Sequence, residues 1–190
     1  MSSLITQTIS DYFTDCLFLL GGESMLINVQ EEYKEAIMQY RLEHLDEAVI
    51  CGSGDLQNYE HYEDWKKWID CHEQKQTLPK GRVCARQYLF VEEHQLLGMV
   101  NIRLELNDYL FQYGGHIGYS IARNQRGKGY GKKMLKEALA ICRQFAMHDV
   151  LLVAKKDNLA SIHTIISNGG VFENEVKDGK EILKRYFIHI

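Results

Sequence analysis

The chain has 190 residues, 45% of them hydrophobic, and a formal net charge of −4 at pH 7. This length suits one domain with one core, and the acidic balance disfavours general nucleic-acid binding, for which a strongly basic domain is typical. The five cysteines are odd in number and include no Cys-x-x-Cys pair, so the sequence predicts neither a disulfide framework nor a zinc site and suits a reducing cytoplasm.

The amino-terminal segment, residues 1–24, contains an apolar patch at 16–20, but the first cation of the chain is Lys34. A secretory signal needs a positively charged start and a membrane span needs about 20 apolar residues, so neither is predicted. Two interpretations stay open. The segment is an N-terminal extension that folds as a helix, or Met25 is the native first residue and the segment is an artefact of the assigned start.

The first half of the chain is predicted to form one strand, two helices and a pair of strands. The predicted elements are a strand at 26–29, helices at 31–47 and 60–74, a proline turn at 78–82, and paired strands at 86–91 and 96–106 around a tight turn at 92–95. The second helix carries an aromatic-rich stripe, formed by Tyr62, Trp65, Trp68, Ile69 and His72. This stripe packs in the core or lines a substrate pocket, and the sequence leaves both interpretations open.

A glycine-rich loop is the most informative feature of the second half. It follows a predicted strand at 116–122 and reads Arg126-Gly127-Lys128-Gly129-Tyr130-Gly131-Lys132-Lys133. A long amphipathic helix begins near Tyr130, since apolar residues recur at helical spacing at Met134, Leu135, Ala138, Leu139, Cys142 and Phe145. Glycines let the backbone approach a ligand, and the start of a helix presents unpaired N–H groups, so the loop predicts a phosphate cradle.

The spacing of the glycines excludes two known phosphate-binding motifs. Three residues lie between Gly127 and Gly131-Lys132 where a Walker loop needs four, and Lys133 stands where its Ser or Thr belongs. A Rossmann fingerprint fails as well, because Gly131 follows Gly129 by two positions rather than three. The remaining pattern is Arg-x-x-Gly-x-Gly, carried by Arg126, Gly129 and Gly131.

A second block lies downstream of the long helix. Residues 150–154 form a short apolar run suited to a buried strand. Asp157-Asn158 then supplies capping side chains for a helix that runs to about Asn168 and ends at Gly169-Gly170. Residues 182–190 are predicted as the terminal strand.

These two blocks resemble the GNAT superfamily of acetyl-coenzyme A dependent N-acetyltransferases, and within it a subgroup of predicted acetyltransferases. The family places an Arg-x-x-Gly-x-Gly loop between its fourth strand and third helix, and both flanking elements are predicted here. It also follows its fifth strand with an Asn, a small residue three positions on and a glycine eleven positions on, which Asn158, Ser161 and Gly169 match. The resemblance covers roughly residues 25–190, which are therefore expected to form a single domain of this family.

The resemblance implies an α/β (α+β) architecture, the acyl-CoA N-acyltransferase fold. In this fold a central, mostly antiparallel mixed sheet is splayed between strands 4 and 5 and flanked by helices. It also implies acetyl-CoA as cofactor, with coenzyme A as the product, and implies no metal. Dimers are frequent in the family, so a homodimer is an expectation as well.

The resemblance further implies which residues contact the cofactor. Backbone groups of Ile121 and Arg123 are expected to hold the pantetheine arm and the acetyl carbonyl. Backbone amides of the loop are expected to hold the pyrophosphate, from Arg126, Gly127, Lys128, Gly129, Tyr130, Gly131 and Lys132. Asn158 and Ser161 are expected to complete the site near the pantetheine end.

The catalytic groups are harder to assign. Many family members carry a tyrosine seven positions after the asparagine, where it protonates the departing thiolate, but this chain has Ile165 there. The candidates are Tyr119 on the motif strand, Glu105 on the preceding strand, as a base for the amine, and His163, close to Ser161. A regular strand points His116 and Tyr119 to opposite sides, so at most one of them faces the acceptor.

Three classes of function follow from these residues. The first is an N-acetyltransferase that moves an acetyl group to a primary amine of a small molecule or peptide by direct attack in a ternary complex. The second, motivated by Ile165, is a non-catalytic acyl-CoA-binding regulator or sensor. The third is a nucleic-acid binder that uses the loop lysines, which the acidic total disfavours.

Charge is distributed unevenly along the chain. Between residues 23 and 64 there are eleven acidic residues against Lys34 and Arg41, whereas residues 120–143 hold seven Lys and Arg against Glu137 alone. The basic region suits an anionic cofactor. The acidic region either attracts a cationic amine or forms solvated helix faces. A cytoplasmic location without membrane or nucleic-acid contact is expected.

Overall fold

The computed structural model describes residues 25–190, so the predicted N-terminal extension lies outside the described residues. The elements are, in chain order, β1 Met25–Asn28, α1 Lys34–Glu43, α2 Tyr62–Cys71, β2 Ala85–Glu92, β3 Gln95–Arg103, a π-helical turn Leu110–Gly114, β4 Ile117–Ile121, α3 Tyr130–Gln144, β5 Asp149–Lys155, α4 Leu159–Ser167, β6 Val171–Asp178 and β7 Glu181–His189. Short 3-10 turns precede α1, α2 and α3, at Glu31–Tyr33, Leu56–Asn58 and Arg123–Gln125.

The strands form two antiparallel sheets. One has the order β1-β2-β3-β4 and the other the order β5-β7-β6. The two sheets meet where β4 lies beside β5, and an isolated bridge between Gly115 and Leu152, rather than a continuous ladder, joins them there. The predicted antiparallel architecture that opens between its fourth and fifth strands is therefore confirmed.

Helices cover the two faces of the first sheet, and each face has its own core. On one face, Val100 and Ile102 pack with Met134 and Leu135 of α3. On the other, Met99 packs with Ile37 of α1 and Trp65 of α2. Burial of each such aliphatic or methionine side chain contributes about 1.5–3 kcal/mol. This burial holds α3 against one face of the sheet and α1 and α2 against the other.

The long helix α3 follows the predicted pattern over most of its length. Its stripe of Met134, Leu135, Ala138, Leu139 and Cys142 is buried. Phe145, predicted as part of this stripe, caps the helix instead and is 39% exposed. Gly129 begins the helix in the left-handed conformation, with φ of +87°.

The first two helices end earlier than predicted, and histidines take part in both ends. The predicted helix at 31–47 stops at Glu43, where His44 Nδ1 donates to the Tyr40 carbonyl at 2.7 Å. The predicted helix at 60–74 stops at Cys71, where His72 Nδ1 donates to the Trp68 carbonyl at 2.8 Å. Imidazoles that occupy these carbonyls replace backbone donors that would continue the helix.

The predicted layout lacked one strand, β6. Seven of its eight residues are exposed and the other is intermediate, so no buried face imposes a hydrophobic alternation. It pairs with β7 through a two-residue turn in which Asp178 faces Glu181 and Gly179 has φ of +57°. The Asp178-Gly179 dipeptide is a hairpin signal that could have revealed the strand.

Candidate functional site

The site is a cleft that begins where the two sheets part. At its closed end the His116 N–H donates to the Leu151 carbonyl at 2.7 Å, and the Leu151 N–H donates to His116 Nδ1 at 2.9 Å. Burial, assisted by the charge of Arg103, lowers the pKa of His116 to about 4. The imidazole is therefore neutral at pH 7 and acts as a fixed acceptor that pins the sheets together.

Beyond the hydrogen bonds between His116 and Leu151, the edge of β4 faces the cleft. The Ala122 N–H donates to the Leu97 carbonyl of β3 at 2.8 Å. Because backbone groups alternate in direction along a strand, those of Tyr119 and Ile121 point away from β3 and toward β5. The Ile121 carbonyl accepts a hydrogen bond from Arg126 Nε at 3.0 Å. Ile121, which was predicted to contact the cofactor, lines the cleft.

The glycine loop forms one wall of the cleft. Gly127 and Gly129 have φ of +80° and +87°, and a Cβ at either position would meet no atom within 4 Å. Among the described residues, the backbone N–H groups of Gly129, Tyr130 and Gly131 have no hydrogen-bond acceptor. They lie at the positive end of α3, so the loop offers unobstructed donors to an anion.

The side chains of the loop are directed differently from its backbone. Arg123 forms ion pairs with Asp46 and Glu47, and Arg126 pairs with Glu47 at 3.0 Å. Lys128 Nζ donates to Gln125 Oε1 at 2.8 Å. Neither Arg123 nor Lys128 lines the cleft, whereas Arg126 and Lys132 do.

Tyr130 contributes to the cradle through its backbone rather than its ring. Its hydroxyl donates to Glu92 Oε2 at 2.5 Å, and its ring packs edge-on against Phe90 with centroids 6.2 Å apart. These contacts hold the first turn of α3 against β2 while the Tyr130 N–H stays available.

The start of α4 forms the opposite wall. Asn158 caps the helix, and its Oδ1 accepts from the Ser161 N–H at 3.1 Å. The Ser161 hydroxyl in turn lies 3.0 Å from the Tyr119 hydroxyl. The structure therefore brings three residues of the predicted site into one hydrogen-bonded group. Tyr119 comes from β4, and Asn158 and Ser161 come from the start of α4.

Tyr119 is held in its protonated form. Burial raises the pKa of its phenol, and hydrogen bonds with Ser161 and Thr164 lower it in part. Ile165, at the position where the family's usual tyrosine stands, is fully buried in the core. Tyr119 thus brings a phenol to α4 from a different element.

The other two catalytic candidates lie in different surroundings. His163 is exposed on α4 and lines the cleft. Glu105 lies beyond the end of β3, since the strand predicted at 96–106 stops at Arg103, and it is not among the residues that line the cleft. Its carboxylate lies 3.4 Å from Lys75 Nζ.

A loop at 51–54 forms the far side of the cleft, away from the glycine loop. Gly52 has φ of +74°, and a Cβ there would collide with the Gly118 carbonyl of β4. Gln87 Nε2 holds this loop by donating to the Gly52 carbonyl at 2.8 Å. In the aromatic stripe of α2, Tyr62, Trp65 and Ile69 are buried, and Trp68, Ile69 and His72 line the cleft.

The cleft is continuous from the glycine loop to this far side and has a volume of about 1210 Å³. Sequence reasoning missed Arg103, the last residue of β3, whose side chain lines it. It also missed the hydrogen bond from Tyr40 of α1 to Ser120 of β4, at 2.9 Å. Both depend on contacts between residues far apart in the chain, which motif spacing does not report.

Within residues 25–190, no group of three or more His, Cys, Asp or Glu is arranged to hold a metal ion. Among the helices described, none has the length and apolar character that crossing a membrane requires.

Comparison with known proteins places these features in context. The sequence model of the family described as acetyltransferase (GNAT) family matches residues 40–165. This match includes the glycine loop, Tyr119, Asn158 and Ser161. None of the curated proteins compared with the chain matches it significantly.

Several solved structures share the fold at low sequence identity. The ribosomal alpha-N-protein acetyltransferase RimL, in complex with coenzyme A, is 17% identical, with a TM-score of 0.66 over 88% of this chain and 94% of its own. A ribosomal-protein alanine acetyltransferase from Vibrio fischeri is 16% identical, with a TM-score of 0.64 over 90% of this chain and 95% of its own. A chimera of the spermidine N-acetyltransferase SpeG from Vibrio cholerae is 17% identical, with a TM-score of 0.62 over 87% of this chain and 95% of its own.

Proposed function

The chain belongs to the acetyltransferase (GNAT) family, and from that premise we propose that it moves the acetyl group of acetyl-CoA to a primary amine of a small molecule or peptide. The amine attacks directly, in a ternary complex. The observation that carries this proposal is the continuous cleft, which joins an anion cradle at one end to an open acceptor side at the other. Solved neighbours that act on ribosomal proteins or spermidine, or that hold coenzyme A, support an amine acceptor and this donor.

The cradle fits a pyrophosphate. Phosphate oxygens need several converging donors, and the N–H groups of Gly129, Tyr130 and Gly131 have no acceptor among the described residues. Lys132 lines the same wall and adds a positive charge. The backbone of Tyr119 and Ile121 at the edge of β4 is the corresponding surface for the pantetheine arm, with Asn158 and Ser161 across the gap.

Bound acetyl-CoA supplies an activated thioester carbonyl. The residues around it position the amine, provide hydrogen bonds to the carbonyl oxygen and supply a proton to the departing sulfur. We assign the proton donor to Tyr119 Oη, since its raised pKa keeps the proton in place at neutral pH and Ser161 fixes the hydroxyl. Tyr119 in this role replaces the phenol that Ile165 lacks.

Fewer contacts identify the base that receives the proton of the amine than identify the proton donor. Among the described residues, His163 lines the cleft and makes no hydrogen bond, so we assign the base to its imidazole on geometry alone. Glu105 faces Lys75 outside the cleft and is not kept as a base. His116 is excluded because its Nδ1 already accepts from Leu151.

Turnover with a panel of amines tests the proposal. The purified chain is mixed with acetyl-CoA and each amine, and thiol release is followed together with the mass of the acetylated product. We expect a time-dependent acetylated product with at least one amine. Binding of acetyl-CoA without any acetylated product across the panel would favour the non-catalytic regulator instead. A cytoplasmic location and a homodimer remain part of the proposal, and sedimentation of the purified chain tests the latter.

A further inference from the structure

Arg103 stands in the wall of the acceptor side of the cleft, and the family motifs do not account for it. Its Nη1 donates to the carbonyls of Gly114 and Gly115 at 3.2 and 2.9 Å. Its Nη2 lies 3.5 Å from the position that a Cβ on Gly118 would occupy. The guanidinium therefore lies beside the middle of β4, where glycine leaves the space open.

The charge of Arg103 is not neutralised by a carboxylate. Three other cations of the cleft are paired, as Arg82 with Asp55, Arg126 with Glu47, and Lys155 with Glu181. Within residues 25–190, Arg103 has no ion pair, and its Nε and Nη2 make no hydrogen bond. Burial lowers the pKa of the guanidinium, yet an arginine stays charged in proteins. Arg103 is half-buried, and a positive charge in a cleft with no carboxylate beside it is suited to an anionic ligand.

We propose that Arg103 binds a carboxylate of the acceptor, so that the acceptor is a short primary amine that carries a carboxylate, as an amino acid does. The planar guanidinium retains free donors on Nε and Nη2, which match the two oxygens of a carboxylate. This inference rests on the proposed acetyl transfer and names the class of its acceptor.

The position of Arg103 relative to Tyr119 suits the reaction. Val100 pairs with Tyr119 across the strands, whereas Arg103 lies three residues further along β3. Side chains alternate along a strand, so Arg103 and Tyr119 project to opposite faces of the sheet. An acceptor held by Arg103 therefore approaches the acetyl group from one face, and the proton donor for the sulfur lies on the other.

The same charges disfavour a polyamine acceptor. A polyamine needs carboxylates for its several cations, but the carboxylates of Glu47, Asp55 and Glu181 are paired with cations of the protein itself. A fourth carboxylate of the cleft, that of Asp178, lies at the exposed end of β6, which belongs to the other sheet from Arg103. Arg103 would repel an ammonium group placed beside it.

The test compares amines in matched pairs that differ only in the carboxylate. Glycine, β-alanine, γ-aminobutyrate and the common L-amino acids are each assayed with acetyl-CoA against their own carboxamides, and spermidine is included. Rates are compared at equal concentrations of unprotonated amine, because an amide changes the basicity of the amine. We expect at least one carboxylate to exceed its amide by about 100-fold in kcat/KM. Preference for the amide in every pair, or for spermidine over all carboxylates, would overturn the proposal.

Variants of Arg103 show whether this residue causes the preference. Arg103→Gln is expected to reduce kcat/KM for the carboxylate to within about threefold of the amide, mainly through KM. The rate with the amide is expected to fall much less than the rate with the carboxylate, and the Kd of acetyl-CoA is measured alongside. An equal loss for both members of a pair would mean that Arg103 only supports the fold. If Arg103→Gln does not fold, Arg103→Lys is used, and a KM rise confined to the carboxylate supports the proposal.

Failure of acetyl transfer itself gives a different result. If no amine is acetylated, the proposed function fails, and Arg103 is then tested by calorimetric titration of the same carboxylates into protein saturated with coenzyme A. Binding that is present in the wild type and lost in Arg103→Gln supports a carboxylate site. Binding that is absent, or equal in both proteins, overturns it.

Discussion

The Tyr119 hydroxyl on β4 lies 3.0 Å from the Ser161 hydroxyl on α4, across the gap that separates the two sheets. This contact joins the strand before the glycine loop to the helix after the second motif block. It also brings a phenol to the helix that carries Ile165 in place of the usual tyrosine.

Tyr119→Phe removes the proposed proton donor while keeping the ring. We expect kcat to fall by about 100-fold or more, as is typical when a general acid is lost, with the Kd of acetyl-CoA unchanged. The raised pKa predicts that the wild-type kcat shows no loss from Tyr119 ionisation below pH 10, the ordinary value for tyrosine. Tyr130→Phe is the matched control, since its hydroxyl bonds to Glu92. Equal kcat values for Tyr119→Phe and Tyr130→Phe would remove Tyr119 from the mechanism.

Gly129→Trp tests the anion cradle. Nothing lies within 4 Å of a Cβ at this position, so the side chain enters the space in front of the loop. We expect the Kd of acetyl-CoA to rise by at least 100-fold. Gly169→Trp is the control, because Gly169 has a similar φ of +90° and an equally open Cβ position but does not line the cleft.

Both glycine variants place a tryptophan in the left-handed region, at a cost of about 1–2 kcal/mol each. Their melting temperatures should therefore fall together, and only Gly129→Trp should lose binding in a calorimetric titration. Loss of binding in both variants would show that the effect comes from stability rather than from the cradle.

His116 predicts a pH dependence of stability. Its pKa falls from the ordinary 6.5 to about 4 in the folded chain. Between these values the unfolded chain binds a proton that the folded chain does not, so stability is lost as the pH falls from about 6.5 to 4. The loss amounts to at most about 3 kcal/mol.

The His116→Asn variant isolates this contribution, because an Asn oxygen can still accept from the Leu151 N–H. Urea denaturation at pH 7 and at pH 4.5 gives the free energy of unfolding of both proteins. We expect the wild type to lose more stability than the variant over this interval. An equal loss would mean that His116 does not titrate below its ordinary range.

Glu47 connects the acidic segment after α1 to the glycine loop. Its carboxylate pairs with Arg123 and Arg126, whose side chains are 40% and 49% exposed. Exposed pairs contribute about 0–1 kcal/mol, so Glu47→Gln should change stability little. It should lower the Kd of acetyl-CoA several-fold at low salt, since a negative charge beside the cradle is removed. Titration at two salt concentrations checks this, and an unchanged or higher Kd would contradict it.

The sequence predicted the glycine loop and the helix that follows it well, because these features are local. Loop conformation depends on Gly127 and Gly129, and helix α3 follows from apolar residues at helical spacing such as Met134 and Ala138. Each of these features is contained within a few turns of chain, where residue type and spacing determine the structure.

The far side of the cleft was not predictable in the same way. Arg103 faces the cleft because β3 ends beside Gly114 and Gly115, and that contact depends on the register of the strand pair. Strand β6 was missed because it buries almost nothing and leaves no alternation. The ion pairs of Asp46 and Glu47 with the loop arginines were likewise not predictable. They form because α1 ends at Glu43, and His44 helps to end it.

A single-turnover experiment with acetyl-CoA labelled on its acetyl group tests the central claim most directly. Excess protein is mixed with the label and a saturating amine, then quenched at short times, and the label is traced to amine and protein by mass spectrometry. Direct attack by the amine predicts that the label appears on the amine nitrogen at the rate of turnover and never on the protein. Label that stays on acetyl-CoA while binding is complete, or that accumulates on a protein side chain first, would contradict direct transfer by this chain.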